Sequence, residues 1–278
     1  MKNILFLETG RNKNYLLTWI EKQQSWGRYV FSLEQVKKDF PDLSEAAIIL
    51  SLVRLSRKTR IVSIYKGFYL IIPPEYAARG ILPPINFIDA LMTFVGKPYY
   101  VALLSAAALH GAAHQQPQEF FVVTTIKQMT TQKKGIKINY ITKRDIPFNL
   151  LEKRKTESGY VNISSSALTA ADLIYYNNRV GGINRVCAVI NELSEAIKPE
   201  NINKELLETI SIPTIQRLGF IFDRIVSQQE LADKLYSVSR DLNKSFYKQP
   251  LKAGGKRGGF ETDEKWGIII NTTIEIDE

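Results

Sequence analysis

A single cysteine, Cys187, and two histidines, His110 and His114, are all that 278 residues offer to thiol or soft-metal chemistry. One thiol excludes an intramolecular disulfide, and so small a set excludes a cysteine-based zinc cluster. Long hydrophobic runs are also lacking. The longest, Tyr99 to Leu109, contains Ser105 and is about half the ~20 residues a bilayer requires. Ile4-Leu5-Phe6-Leu7 ends at Glu8, too short for the apolar core of a signal peptide. Acidic residues are in deficit: 28 Asp and Glu stand against 37 Lys and Arg, a formal net charge of +9. The expectation is a soluble cytoplasmic protein with no membrane partner, whose excess charge favours a polyanion.

What the sequence does have is a core and an uneven charge. Hydrophobic residues make up 45% and charged residues 23%, enough to bury a substantial interior. Residues 1–80 carry 13 Lys and Arg against 7 Asp and Glu, whereas 81–278 carry 24 against 21. Pro73-Pro74 and Pro83-Pro84 bracket Glu75–Leu82, and prolines interrupt both helix and sheet. This places a linker at 73–85, between a domain at 1–80 and a larger one at 81–278.

The first domain reads as a winged helix-turn-helix. Residues 12–24 predict a helix with Tyr15, Leu16, Trp19 and Ile20 on one face, followed by a strand at Arg28–Phe31. Ser32 with Gln35, and Asp42 with Glu45, predict two capped helices separated by a few residues around Pro41. In the second of these helices, which runs to about Lys58, Ala46, Ile49, Leu50 and Val53 are expected to face the core. Ser44, Ala47, Ser51, Arg54 and Lys58 form the opposite stripe, small at one end and cationic at the other. Small residues let a helix approach base edges, while Arg and Lys reach phosphates or guanine. Arg60–Tyr65 and Phe68–Ile72, joined by Lys66-Gly67, predict a hairpin, the wing. The candidate DNA contacts are Ser44, Ala47, Ser51, Arg54, Arg57, Lys58, Arg60 and Lys66. A solvated helix end would show the same cations, and winged helices also serve as protein-interaction modules.

The second domain reads as mixed α/β, which makes the chain α+β. Expected helices lie at 86–95, 99–109, 166–177, 183–197, 203–210, 213–224 and 228–243, the last opened by a Ser227/Glu230 capping box. Expected strands lie at 120–125, 136–142, 146–151, 160–163 and 266–276. Residues 244–264 are polar and Gly-rich.

Within this domain stand Tyr99-Tyr100-Val101-Ala102-Leu103-Leu104-Ser105-Ala106-Ala107-Ala108-Leu109-His110-Gly111 and the strand Phe120–Thr125. Ala167-Leu168-Thr169-Ala170-Ala171-Asp172-Leu173, Gly181-Gly182-Ile183, and Trp266-Gly267 with Asn271 follow in order. In these residues the sequence resembles the AbiEi-type antitoxins of type IV abortive-infection toxin–antitoxin systems, found in bacterial phage-defence loci. The resemblance extends over nearly the whole chain. It implies a winged helix that binds double-stranded DNA at inverted repeats upstream of its own operon and represses it. It also implies a C-terminal domain that neutralises a nucleotidyltransferase-like toxin without a stable complex.

No residues call for a catalytic role, a cofactor or a metal. His110 and His114 have zincin spacing, but Gly111 stands where the catalytic Glu is needed. His110 is expected to make a structural hydrogen bond at a helix end, with His114 in a loop. No Glu has Lys two positions later, and Asp263-x-Lys265 is the only Asp form. Lys256 and Arg257 are expected in a loop, Cys187 as a buried inert thiol, and Asp172 beside a basic residue. The alternatives are a Mg2+-dependent nuclease targeted by the winged helix, and a non-enzymatic adaptor that binds its toxin directly.

Overall fold

The computed structural model describes residues 15–112, 119–127, 130–256 and 258–275. His114 and Arg257 lie outside them. Two compact units divide the chain. The first comprises residues 1–97 together with 129–138 and 155–161; the second holds the rest.

The first unit runs α1 (Tyr15–Ser25), β1 (Val30–Ser32), α2 (Leu33–Asp39), α3 (Glu45–Arg57), β2 (Ile61–Tyr65) and β3 (Phe68–Ile71). Its three strands form an antiparallel sheet in the order β1-β3-β2, with Leu70 opposite both Val30 and Val62. Three helices packed on such a sheet in this order make a winged helix. Leu16, Ile20, Val36, Ile48, Leu52 and Leu55 from the helices meet Phe31, Ile61 and Ile71 from the sheet in one apolar cluster.

Local chemistry sets the helix starts. The Ser32 hydroxyl accepts the Gln35 amide at 3.1 Å and opens α2. The start of α3 differs from expectation: its cap is Ser44, whose hydroxyl accepts the Ala47 amide at 3.2 Å, rather than Asp42. Ser44 has the extended backbone a cap requires, and Leu43 closes a turn onto the Phe40 carbonyl instead of entering the helix.

The buried face of α3 also differs. Ile48, Leu52 and Leu55 are buried, while Ala46, Ile49, Leu50 and Val53, expected in the core, are exposed. Six large apolar residues and two alanines spread around this helix, so the 3.6-residue period is satisfied by more than one stripe. Packing against α1 and the sheet selects one of them.

The expected linker occupies residues 73–85. It carries 3-10 turns at Pro74–Tyr76 and Pro84–Asn86, with Ile81 and Leu82 buried between them. It leads into α4 (Ile88–Val95), which belongs to the first unit and ends on Gly96 in the left-handed conformation, φ +69°.

After α4 come β4 (Tyr99–Val101), α5 (Leu103–Leu109), β5 (Glu119–Thr124), β6 (Thr130–Lys133), β7 (Ile136–Thr142), β8 (Leu151–Thr156) and β9 (Gly159–Ser164). They form a six-stranded mixed sheet in the order β6-β7-β5-β4-β9-β8. Helices α6 (Ser166–Tyr175), α7 (Ile183–Ser194), α8 (Lys204–Thr209), α9 (Ile212–Phe220) and α10 (Gln229–Asp241) follow. A small sheet of β10 (Gln249–Pro250), β11 (Thr262–Asp263) and β12 (Ile268–Ile269) lies within the second unit. Helix α6 is central: every residue from Ser166 to Ile174 is buried. The molecule is α+β.

Four expectations are corrected here. The single helix at 99–109 is a strand and a helix. Tyr99-Tyr100-Val101, three β-formers buried throughout, pair antiparallel with β5 and parallel with β9 before the chain turns at Leu103, φ +50°. The strand at 146–151 is a 3-10 turn at Phe148–Leu150 following Pro147, and β8 begins only at Leu151. Ser227 does not cap α10. Its φ is +53°, and Gln228 holds the cap position without a side-chain bond. The final strand contracts to Ile268–Ile269.

Candidate functional site

Two sets of side chains stand out, one in each unit. The first is the exposed surface of α3 with the wing. Counting outward from the buried stripe, Ala46, Leu50, Val53 and Arg57 recur at i, i+4, i+7 and i+11 and define the face turned to solvent. Ile49, Leu50 and Val53 are 42%, 51% and 41% exposed. The cations lie at the C-terminal end of the helix. Among the described residues, Arg54, Arg57 and Lys58 have no ion-pair partner. The only carboxylate on α3, Glu45, is bound by Lys37 of α2 at 2.9 Å, and Lys37 also reaches Glu34 at 3.1 Å. Hydrogen bonds to Glu45 and Glu34 raise the Lys37 ammonium above its ordinary value.

The expected contact residues do not share one surface. Ser44 is spent on capping. Ala47 and Ser51 are half-buried on the flank facing α1, where the Ser51 hydroxyl lies 3.4 Å from that of Tyr15. Arg54, Lys58 and Arg60 line a cavity of about 480 Å3 with Tyr15, Leu17 and Glu21. Arg60 also donates to Glu21 at 3.2 Å. Arg57 alone among them projects from the outer stripe. Lys66 is exposed at the wing tip beside Gly67, whose φ of +75° closes the two-residue turn. The wing is braced from behind: the Phe94 ring of α4 packs on Phe68 at 5.2 Å and on Tyr65 at 6.3 Å.

Periodicity alone assigns the outer apolar residues of α3 to the core. Their signal was present in the excess of apolar positions on α3 over what one buried stripe can use.

The second set lies in the second unit. Asp172, buried on α6, accepts from the Tyr100 hydroxyl at 2.8 Å and from the Lys143 ammonium at 2.8 Å; Lys143 also bonds the Tyr100 oxygen at 2.9 Å. Burial, with the nearby Asp172 charge, pushes the Tyr100 phenol well above its ordinary range. The same two causes raise the neighbouring Tyr176 to about 12. Lys143, Asp172 and Tyr176 line a cavity of about 480 Å3 together with Arg144, Tyr175, Ser211 and Thr214. Asp172 thus does meet a basic residue, at a separation no short motif reveals.

The remaining candidates sit in structural roles. His110 ends α5, and its Nε2 donates to the Ser164 carbonyl at 2.8 Å, the helix-end bond expected of it. Cys187 is buried, and burial pushes its thiol up to about 12, far from a reactive thiolate. Among the described residues no group of three His, Cys, Asp or Glu side chains is placed to hold a metal. No helix among them is long and apolar enough to cross a membrane.

The fold therefore defines a winged helix joined to an α/β unit built around a buried helix. Residues 100–224, just under half of the chain, match the family described as the AbiEi antitoxin C-terminal domain. The resemblance to AbiEi-type antitoxins is shown over these residues, and they include α6 with Asp172 and the β4–α5 turn. The crystal structure of the RV2827C protein from Mycobacterium tuberculosis has a similar fold, with a TM-score of 0.65 at 12% identity. The match covers 90% of this chain and 89% of that one. No curated protein matches the chain.

Proposed function

We propose that this protein is a cytoplasmic antitoxin of a type IV, phage-defence toxin–antitoxin system that also binds DNA and represses its own operon. The carrying observation is one chain holding a region that matches an antitoxin family and a winged helix whose α3 ends in three cations without acidic partners among the described residues. Unpaired Arg and Lys on one edge can neutralise phosphates, and counterion release then supplies affinity.

In this reading α3 enters the major groove of double-stranded DNA at an inverted-repeat operator. Arg54, Arg57 and Lys58 bind phosphates or guanine. Lys66 touches the backbone beside the groove, and Arg60 adds positive potential near α1. Ser44 caps α3 and Ser51 faces Tyr15 of α1, so Ser44, Ala47 and Ser51 are assigned no base contact in this reading. The action is occupancy of a site and involves no catalysis or cofactor.

The second unit would neutralise a nucleotidyltransferase-like toxin without a stable complex. Full-length protein carrying Arg54→Ala and Arg57→Ala separates the two activities. It should lose repression of a reporter placed behind its own upstream region while still protecting cells that express the toxin. Joint loss of both activities by a folded variant would contradict this division. Co-purification of the toxin would instead favour direct binding.

A further inference from the structure

The exposed apolar stripe of α3 has a chemistry of its own. Ile49, Leu50 and Val53, with Ala46, present only methyl and methylene groups to solvent. Such groups cannot read hydrogen-bond donors or acceptors. In the major groove the one apolar group on a base edge is the 5-methyl of thymine. We propose that this stripe reads thymine methyl groups, so that the preferred operator carries thymines opposite Ile49, Leu50 and Val53. This inference rests on the DNA-binding function proposed above and specifies what that surface recognises.

Charge selects nucleic acid over a protein partner. Arg54, Arg57 and Lys58 rim the stripe at one end without acidic partners among the described residues. At the other end Glu45, the carboxylate that would repel phosphate, is held by Lys37. A polyanion therefore meets cations along the rim and no free acid on the helix. A second copy of this chain is a poor occupant, because four side chains fall far short of the ~800 Å2 per partner buried in standard interfaces.

The division of labour is then physical. The cations supply sequence-independent affinity. The apolar stripe supplies discrimination, since cytosine, guanine and adenine place polar or bare edges where the thymine methyl would sit. Arg57 shares the outer stripe and is the residue positioned to add a polar base contact at its end.

The test uses the full-length protein and a binding site enriched from a randomised duplex library at low salt. The enriched duplex is resynthesised with deoxyuridine for thymidine, which removes only the methyl groups. Wild-type protein should bind the deoxyuridine duplex about fourfold more weakly for each contacted methyl. Leu50→Ala and Val53→Ala, both at exposed positions, should weaken binding to the thymidine duplex and lose part of the discrimination against deoxyuridine. Equal affinity of wild-type protein for the two duplexes overturns thymine readout and leaves DNA binding standing. Failure to enrich or retard any duplex overturns both.

Discussion

The Lys143 ammonium lies 2.8 Å from Oδ1 of Asp172, inside a unit where Asp172 is 2% exposed. Tyr100 from β4 satisfies the other carboxylate oxygen. This charge cluster ties β4 to the central helix α6. Breaking a buried pair by removing one partner leaves the other charge without compensation, at about 3–5 kcal/mol. Lys143→Met should therefore lower the unfolding free energy, measured by urea denaturation, by up to that order. Tyr100→Phe, which removes one hydrogen bond and leaves the ion pair, should cost only about 1–3 kcal/mol. The double variant Lys143→Met/Asp172→Asn should recover much of the single loss, because it leaves no buried charge.

A second prediction concerns Gly219 on α9. Trp266 is fully buried and stacks on Phe246, with its indole N–H donated to Asp223 at 2.9 Å. A Cβ on Gly219 would overlap the six-membered edge of that indole. Rigid aromatic and backbone leave little room to relax, so Gly219→Ala should cost at least the ~1–3 kcal/mol typical of overpacking. Thermal unfolding followed by tryptophan fluorescence measures it, and an unchanged midpoint would show that α9 can shift.

Asp223 gives the acid response. Burial alone would raise its carboxyl, but hydrogen bonds from Lys265 at 2.8 Å and from the Trp266 indole outweigh this and hold it below its ordinary value. A carboxyl depressed in the folded state contributes stability above its unfolded value, near about pH 4. That contribution disappears as pH falls through the folded value. Asp223→Asn should therefore flatten the acid limb of unfolding free energy against pH while leaving its shape near neutrality unchanged.

These residues also show where the sequence was informative. The winged-helix order was legible because its signals are local: the Ser32 cap, the Pro41 break, and Lys66-Gly67 between two β-rich runs. The face of α3 was not. Ile48, Ile49, Leu50, Leu52, Val53 and Leu55 occupy so much of the circumference that periodicity leaves the buried stripe open. Tyr99–Val101 looked helical because small residues follow it, whereas its neighbours in the sheet lie about 25 and 60 residues away. Lys143 and Asp172 are 29 residues apart, and only the packing of α6 brings them together. The AbiEi resemblance reached the second unit where local physics could not, because it compares the order of motifs along the chain.

A fourth prediction separates affinity from selectivity on α3. Leu50→Ala should alter which duplexes are preferred, with little change in the salt dependence of binding. Lys66→Ala should lower affinity roughly equally across sequences, as loss of a phosphate contact does. Competition between the enriched duplex and random DNA distinguishes the two. A uniform loss for Leu50→Ala would place that residue outside base recognition.

The most direct test of the account is the affinity of full-length protein for the duplex upstream of its own reading frame, measured across a salt series. Wild-type protein should bind it in preference to random DNA, with affinity falling steeply as salt rises. Arg54→Ala/Arg57→Ala should bind much more weakly, with a log–log salt slope reduced by about two. Unchanged affinity and slope in that variant, or no binding by the wild-type protein, would contradict the assignment of α3 as the DNA-binding helix.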